Sequence, residues 1–289
     1  MTAPVDPDTP WNLMRQSPDH ALPAAEPDPL VALLTRHLGP GPAAVILGPT
    51  PRQRHRQAIS AHLLAARNAI ATYLPRRLLV RELATDSAPP WIEWVEGALL
   101  FADVSGSTAL AERLGAMGHE GAEIVTETLN GYFATMMRII AGAGGDVLGF
   151  GGDALLALFE GPHATPIAAS AALDLLHELA GFEREVAGVG RFPLTMHIGV
   201  EAGAIALVGA GQSRSRRYSA MGAMVGAVAR AEACAGPGQV VLGPRAWAIL
   251  ADVAEGEPLD AGFARVWALR VAPPALAPTV APQLDAAAP

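Results

Sequence analysis

Asp103 and Asp153 stand fifty positions apart, each where a short apolar run meets glycine and small residues: Phe101-Ala-Asp103 before Val104-Ser-Gly-Ser-Thr108, and Gly151-Gly-Asp153 before Ala154-Leu155. Two carboxylates brought side by side repel, and one is driven protonated unless a cation lies between them. Hard divalent cations take oxygen ligands, and Mg²⁺ uses one or two carboxylates together with substrate phosphates. Two such ions roughly 3.5–4 Å apart can activate an attacking oxygen and neutralise a leaving phosphate. Ser105, Gly106, Ser107 and Thr108 open a helix straight after Asp103, so its free backbone N–H groups suit a β- or γ-phosphate. Either aspartate alone also reads as a helix cap or a turn residue. Placed together, they point to metal and triphosphate chemistry.

The expected elements put them together. Ala98–Ala102 is a continuous apolar run, as a central strand buried on both faces requires. It ends in Asp103, and the Ser/Thr-rich turn supplies cap chemistry for a helix over Ala109–Leu114. Ile124, Thr128, Leu129, Tyr132, Phe133, Met136 and Ile140 mark one face of a longer helix, stopped by Gly142, Gly144 and Gly145. Asp146–Phe150 and Asp153–Phe159 flank Gly151-Gly152 as a hairpin. Pro166–Leu179 is amphipathic, and Leu194–Val200 and Ala204–Val208 read as strands parted by a glycine turn. Met221–Ala235, Gln239–Leu242, Pro244–Leu250 and Phe263–Val271 follow as helix, strand, helix and strand.

This order is the split β-α-β-β-α-β of a ferredoxin-like α/β (α+β) core with extra strands and helices. The third strand lies antiparallel beside the first, so the start of the third meets the end of the first. Asp153 begins the third and Asp103 ends the first. A helical lead-in and linker is expected over 54–94, with Ala58, His62, Leu63, Ala66, Ile70 and Tyr73 at helical spacing and a second helix at Arg76–Leu83 after Pro75. The Pro/Ala-rich stretches 1–53 and 272–289 read as disordered, which leaves 95–271 as the main domain.

The net charge of −8 argues against a nucleic-acid binder, and the clusters Arg52–Arg56 and Arg214, Arg216, Arg217 read as solvated loops. No apolar run approaches the roughly 18–20 residues of a membrane span. The acidic N-terminus lacks signal-peptide order, so a cytoplasmic location is expected. The single cysteine, Cys234, excludes an intramolecular disulfide framework and reads as a small core thiol. Every basic residue other than histidine is arginine; the chain has no lysine.

Phe101–Thr108 with Ala111-Glu-Arg-Leu114 resembles the opening of a class III adenylate/guanylate cyclase catalytic domain. Gly144–Phe159 resembles its central hairpin, and His197–Gly203, Val225–Glu232 and Gly236–Leu242 match its later blocks in order. The resemblance covers about 95–245, is nearest the soluble, tandem-cyclase-like branch, and extends to the lead-in Tyr73-Leu-Pro75. It implies the class III cyclase fold and a site binding ATP, or GTP, with two Mg²⁺ (or Mn²⁺) held by Asp103 and Asp153, Val104 being a third metal position. It also implies attack of the ribose 3′-oxygen on the α-phosphate with release of pyrophosphate. Finally it implies a homodimer, or a heterodimer with a second cyclase domain, in which one subunit supplies the metal carboxylates and the other the base-reading and transition-state residues.

The complementary half departs from that pattern. Gly149 stands where the family has a base-reading lysine, Ser219 at the second base-reading position, and Gly226 where an asparagine positions the ribose. Arg230 keeps the transition-state arginine. The chain thus reads as the metal-binding half of a cyclase, with a nucleotide-binding regulatory module lacking turnover as the alternative. A diguanylate-cyclase-like reading is disfavoured, because Gly151-Gly-Asp-Ala-Leu155 lacks the second acidic residue it needs.

Overall fold

The computed structural model describes residues 61, 62, 65, 74–83, 90–186, 189–212 and 215–274. The chain divides into two units, Met1–Ala65 and Ala66–Pro289. Of the first, the described positions 61, 62 and 65 are helical. The expectations for 1–53, for most of the lead-in helix and for the tail beyond 274 lie outside the described residues.

In the second unit α1 (Arg76–Leu83) precedes β1 (Trp91–Ser105), α2 (Ser107–Gly115) and α3 (His119–Gly142). The hairpin β2 (Asp146–Gly151) and β3 (Ala154–Glu160) leads to α4 (Ala164–Glu178), the small hairpin β4 (Glu183–Val186) and β5 (Gly190–Pro193), then β6 (Thr195–Gln212) and β7 (Ser215–Met221). The chain continues through α5 (Ala223–Ala233), β8 (Gln239–Leu242), α6 (Pro244–Leu250), β9 (Ala254–Pro258) and β10 (Ala264–Leu269). The main sheet runs β2-β3-β1-β6-β8-β10-β9, with β7 paired to β6. Its first four strands are the ferredoxin-like order, with β3 antiparallel beside β1.

Alternation along β1 builds two layers. Ala98, Leu100, Ala102 and Val104 join the core formed with α2, α3 and α4, where Leu110, Tyr132, Met136, Ile140 and Ile167 are buried. Trp91, Val95 and Leu99 point to the opposite face and pack with Leu158, Ile205, Met224 and Val228, so α5 covers that side. Burying each large aliphatic side chain contributes about 1.5–3 kcal/mol. The face expected on α3 is the buried one, through Thr128, Tyr132, Met136 and Ile140.

Several local expectations are corrected. Asp103 does not end its strand: β1 runs to Ser105, because Asp103 and its neighbours keep pairing with β6. Trp91, expected in a linker, begins that same strand. No turn parts the two halves of β6; fifteen consecutive pairs to β1 carry the strand through Gly203, whose φ is 145. The helix after Asp103 is not capped by a hydroxyl; Gly106 is the N-cap, left-handed at φ 97, without a side-chain cap bond. Cys234 is exposed rather than in the core, since it falls at the C-cap of α5. The strands β4, β5, β7 and β9 have no counterpart in the expected order, being short, polar or glycine-interrupted.

α1 is tied to the sheet by charge. The Asp146 carboxylate accepts the free N–H groups of Arg76 at 2.8 Å and Arg77 at 3.1 Å, capping α1 from the start of β2. The Arg77 guanidinium bonds Glu93 on β1 and Glu160 on β3. No described helix is long and apolar enough to cross a membrane.

Candidate active site

Asp103 pairs with Ala154 on one side and His197 on the other, so Asp153, one residue before Ala154, reaches the same end of the sheet. The Asp103 Oδ1 accepts the Val104 N–H at 2.9 Å. The Ser107 hydroxyl, buried, contacts the Val104 carbonyl at 3.2 Å and bonds Asp153 Oδ2. Burial, then the Asp153 charge, pushes the Asp103 carboxyl above the usual carboxylate range; the Val104 N–H and His197 oppose the shift. Two facing carboxylates, one held in place by a hydroxyl, form the donor set a hard divalent cation takes. The residues present therefore fit the metal pair.

Gly106 fixes the turn that follows. A side chain there would have its Cβ 2.5 Å from the Pro193 carbonyl, and the positive φ favours glycine. α2 starts directly after this turn, with Ser107 buried and Gly106 and Thr108 exposed. Ser105 is directed elsewhere: its Oγ lies 2.7 Å from His197 Nε2.

The residues expected to serve a neighbouring subunit sit on other elements. Gly149 lies on β2 opposite Leu156, beside a register irregularity, with open space where a side chain would project. Ser219, exposed, pairs with Val208 from β7. Gly226 and Arg230 are one turn apart on α5, and a Cβ at Gly226 would lie 3.5 Å from the Arg230 guanidinium. Arg230 is exposed on a shallow pocket that also holds Glu201 and Arg245, at positions along β6 and α6 away from Asp103. Glu201 itself is buried and structural, its Oε1 accepting the Ala202 and Ala246 N–H groups at 2.8 and 2.9 Å.

Two polar residues at the carboxylate pair went unassigned in the sequence reading. His197 Nδ1 lies 3.1 Å from Glu232 Oε1, with the two side chains 24% and 13% exposed. The contact depends on Gly199, where an added Cβ would stand 2.4 Å from the Glu232 nitrogen and 2.5 Å from the Val228 carbonyl. A histidine inside an apolar strand, two residues before a glycine, was the available signal.

The family described as the adenylate and guanylate cyclase catalytic domain matches residues 95–261. Proteins named adenylate cyclase type 10 from Mus musculus and Oryctolagus cuniculus are 30% and 29% identical over 185 residues, covering 62% of this chain and 11% of theirs. The chain thus spans about a tenth of the length of those relatives. Among solved structures, a bacterial light-regulated adenylyl cyclase matches at TM-score 0.55 and 20% identity, over 79% of this chain and 68% of that one. The guanylate cyclase domain of RhGC from Catenaria anguillulae, solved with GTP, matches at 0.53 and 18%, over 61% and 99%. The adenylyl cyclase CyaB from P. aeruginosa matches at 0.52 and 19%, over 63% and 98%. These last three share the fold. With the family matching more than half of the residues, the chain belongs to the adenylate and guanylate cyclase catalytic domains.

Proposed function

We propose that this chain forms a cyclic nucleotide and pyrophosphate from a nucleoside triphosphate, ATP in preference to GTP, as the metal-binding half of a two-subunit site. The observation that carries the reading is the convergence of Asp103 and Asp153 beside the N-terminus of α2. The preference for ATP rests on the relatives named adenylate cyclase.

Asp103 and Asp153 would hold the Mg²⁺ or Mn²⁺ pair, with Val104 beside them. When bound, such a pair lowers the barrier to attack by the ribose 3′-hydroxyl and offsets charge on the leaving phosphate. Ser107 keeps the Asp153 carboxylate oriented. The first N–H groups of α2, at Ser107 and Thr108, receive the β- or γ-phosphate, and Gly106 lets the chain turn close enough for this. In the reaction the 3′-oxygen bonds to the α-phosphorus, the bond from that phosphorus to the bridging oxygen of the β-phosphate breaks, and the hydroxyl proton is lost.

The other half of the site comes from a second cyclase domain, in a copy of this chain or another protein. A copy of this chain offers Arg230 and Ser219 but only hydrogen at Gly149 and Gly226. Each missing transition-state contact costs about 2–4 kcal/mol, or roughly 10²–10³ in rate, so a homodimer turns over slowly and a partner carrying lysine and asparagine restores one site. Those two glycines equally favour a second reading, a regulatory subunit that binds nucleotide without turnover. Assay of the purified chain with ATP and GTP in Mg²⁺ or Mn²⁺, alone and mixed with candidate cyclase domains, separates the two. Triphosphate binding without product in every pairing supports the regulatory reading.

A further inference from the structure

His197 and Glu232 extend the carboxylate pair on a side the cyclase chemistry does not use. One nitrogen of His197, one oxygen of Asp103 and one oxygen of Glu232 all lie within 4.8 Å of one another. The 3.1 Å between His197 Nδ1 and Glu232 Oε1 is the spacing of two donors that can share one ion about 2.0–2.2 Å from each. Ser105 Oγ, 2.7 Å from Nε2, is placed to accept the second ring proton, which leaves Nδ1 with its lone pair toward the carboxylates. That is how the outer partner of a metal-bound histidine acts. Glu232 is brought into range by the bare Gly199, over which α5 lies in backbone contact. Each of the three donors is therefore set by a separate element: β1, β6 and α5.

We propose that Asp103, His197 and Glu232 form a binding site for a borderline-soft divalent ion of the Zn²⁺ class, which shares Asp103 with the Asp103–Asp153 pair and takes its other two donors from His197 and Glu232. An imidazole among the ligands suits Zn²⁺ or Co²⁺, whereas Mg²⁺ keeps oxygen ligands and near-ideal octahedral geometry. Three protein donors leave a fourth position for water. Because Asp103 belongs to both sets, an ion here withdraws it from the Mg²⁺ pair and inhibits turnover; that consequence rests on the cyclase reading, while binding does not.

The test uses the tag-free full chain without nucleotide or Mg²⁺, titrated with Co²⁺ and followed by its visible absorption, then back-titrated with Zn²⁺. The expected result is one equivalent of Co²⁺ displaced by Zn²⁺, retained in Asp153→Asn and lost in both His197→Gln and Glu232→Gln. Ser105→Ala weakens binding about tenfold. Circular dichroism checks each variant's fold; if His197→Gln does not fold, Glu232→Gln decides alone. No stoichiometric band in the native chain, or a band unchanged in Glu232→Gln, overturns the site. Mn²⁺-supported turnover is read separately, alone and with candidate cyclase domains: its absence in every pairing with an intact Co²⁺ band defeats the cyclase reading and leaves this site standing.

Discussion

Asp103 and His197 face each other across the β1–β6 ladder, and the two ring nitrogens of His197 meet Ser105 on one side, at 2.7 Å, and Glu232 on the other, at 3.1 Å. The candidate metal carboxylate thus has Asp153 on one flank and an imidazole on the other. Its ionisation depends on both.

The first prediction follows from that ionisation. Burial, and then the Asp153 charge, raise the Asp103 pKa in the folded state above its unfolded value. In the metal-free protein, stability therefore falls as pH rises from the ordinary carboxylate value through the raised folded value, since ionised Asp103 is disfavoured in the native state. Divalent metal reverses the slope, because it binds only the ionised form. Asp153→Asn removes the second cause and moves the Asp103 transition downward. Carboxyl carbon NMR titration reads it; an unchanged midpoint contradicts this account.

Gly199 is expected to tolerate no side chain. The 2.4 and 2.5 Å approaches are to backbone atoms of α5, which cannot rotate away. Gly199→Ala should cost about 1–3 kcal/mol of stability, as overpacked cores do, and should displace Glu232 from His197. Urea denaturation gives the first effect. Native-like stability in this variant would mean that α5 does not lie so close to β6.

Gly226 predicts the opposite sign. It is exposed inside α5, and its added Cβ would make only an ordinary 3.5 Å contact with Arg230. Gly226→Ala should stabilise by about 0.5–1 kcal/mol, seen as a higher denaturation midpoint.

Reinstalling the missing contacts is a gain-of-function prediction. A Cβ at Gly149 meets nothing within 4 Å and one at Gly226 meets only the Arg230 guanidinium at 3.5 Å, so the backbone at both positions admits a side chain. Gly149→Lys with Gly226→Asn should raise cyclic nucleotide formation by the chain alone by at least about 10²-fold. No gain in the double variant, with triphosphate still bound, supports the regulatory reading.

The extent to which the site was legible follows from the physics of each piece. The Asp103–Asp153 convergence could be read because strand order is fixed by long apolar runs and by the Gly-Gly turn, and the register does the rest. The core face of α3 was legible for the same reason, its 3.6-residue period being unbroken. The site's far wall was not, because His197 and Glu232 meet only when Gly199 brings a helix onto a strand 35 positions before it, a contact that leaves no local pattern. Gly203 misled in the other direction: glycine within apolar residues reads as a turn, yet pairing to β1 along the whole of β6 keeps it in a strand. β7 was missed because Ser215–Met221 is polar at its start and borrows its regularity from β6.

The most direct test of the central claim is cyclic nucleotide formation from ATP in Mn²⁺ by the native chain and by Asp103→Ala, each alone and with a partner domain carrying the lysine and asparagine. Product from the native chain, greatest with that partner and lost in Asp103→Ala, is the predicted result. Product that survives Asp103→Ala would contradict the account.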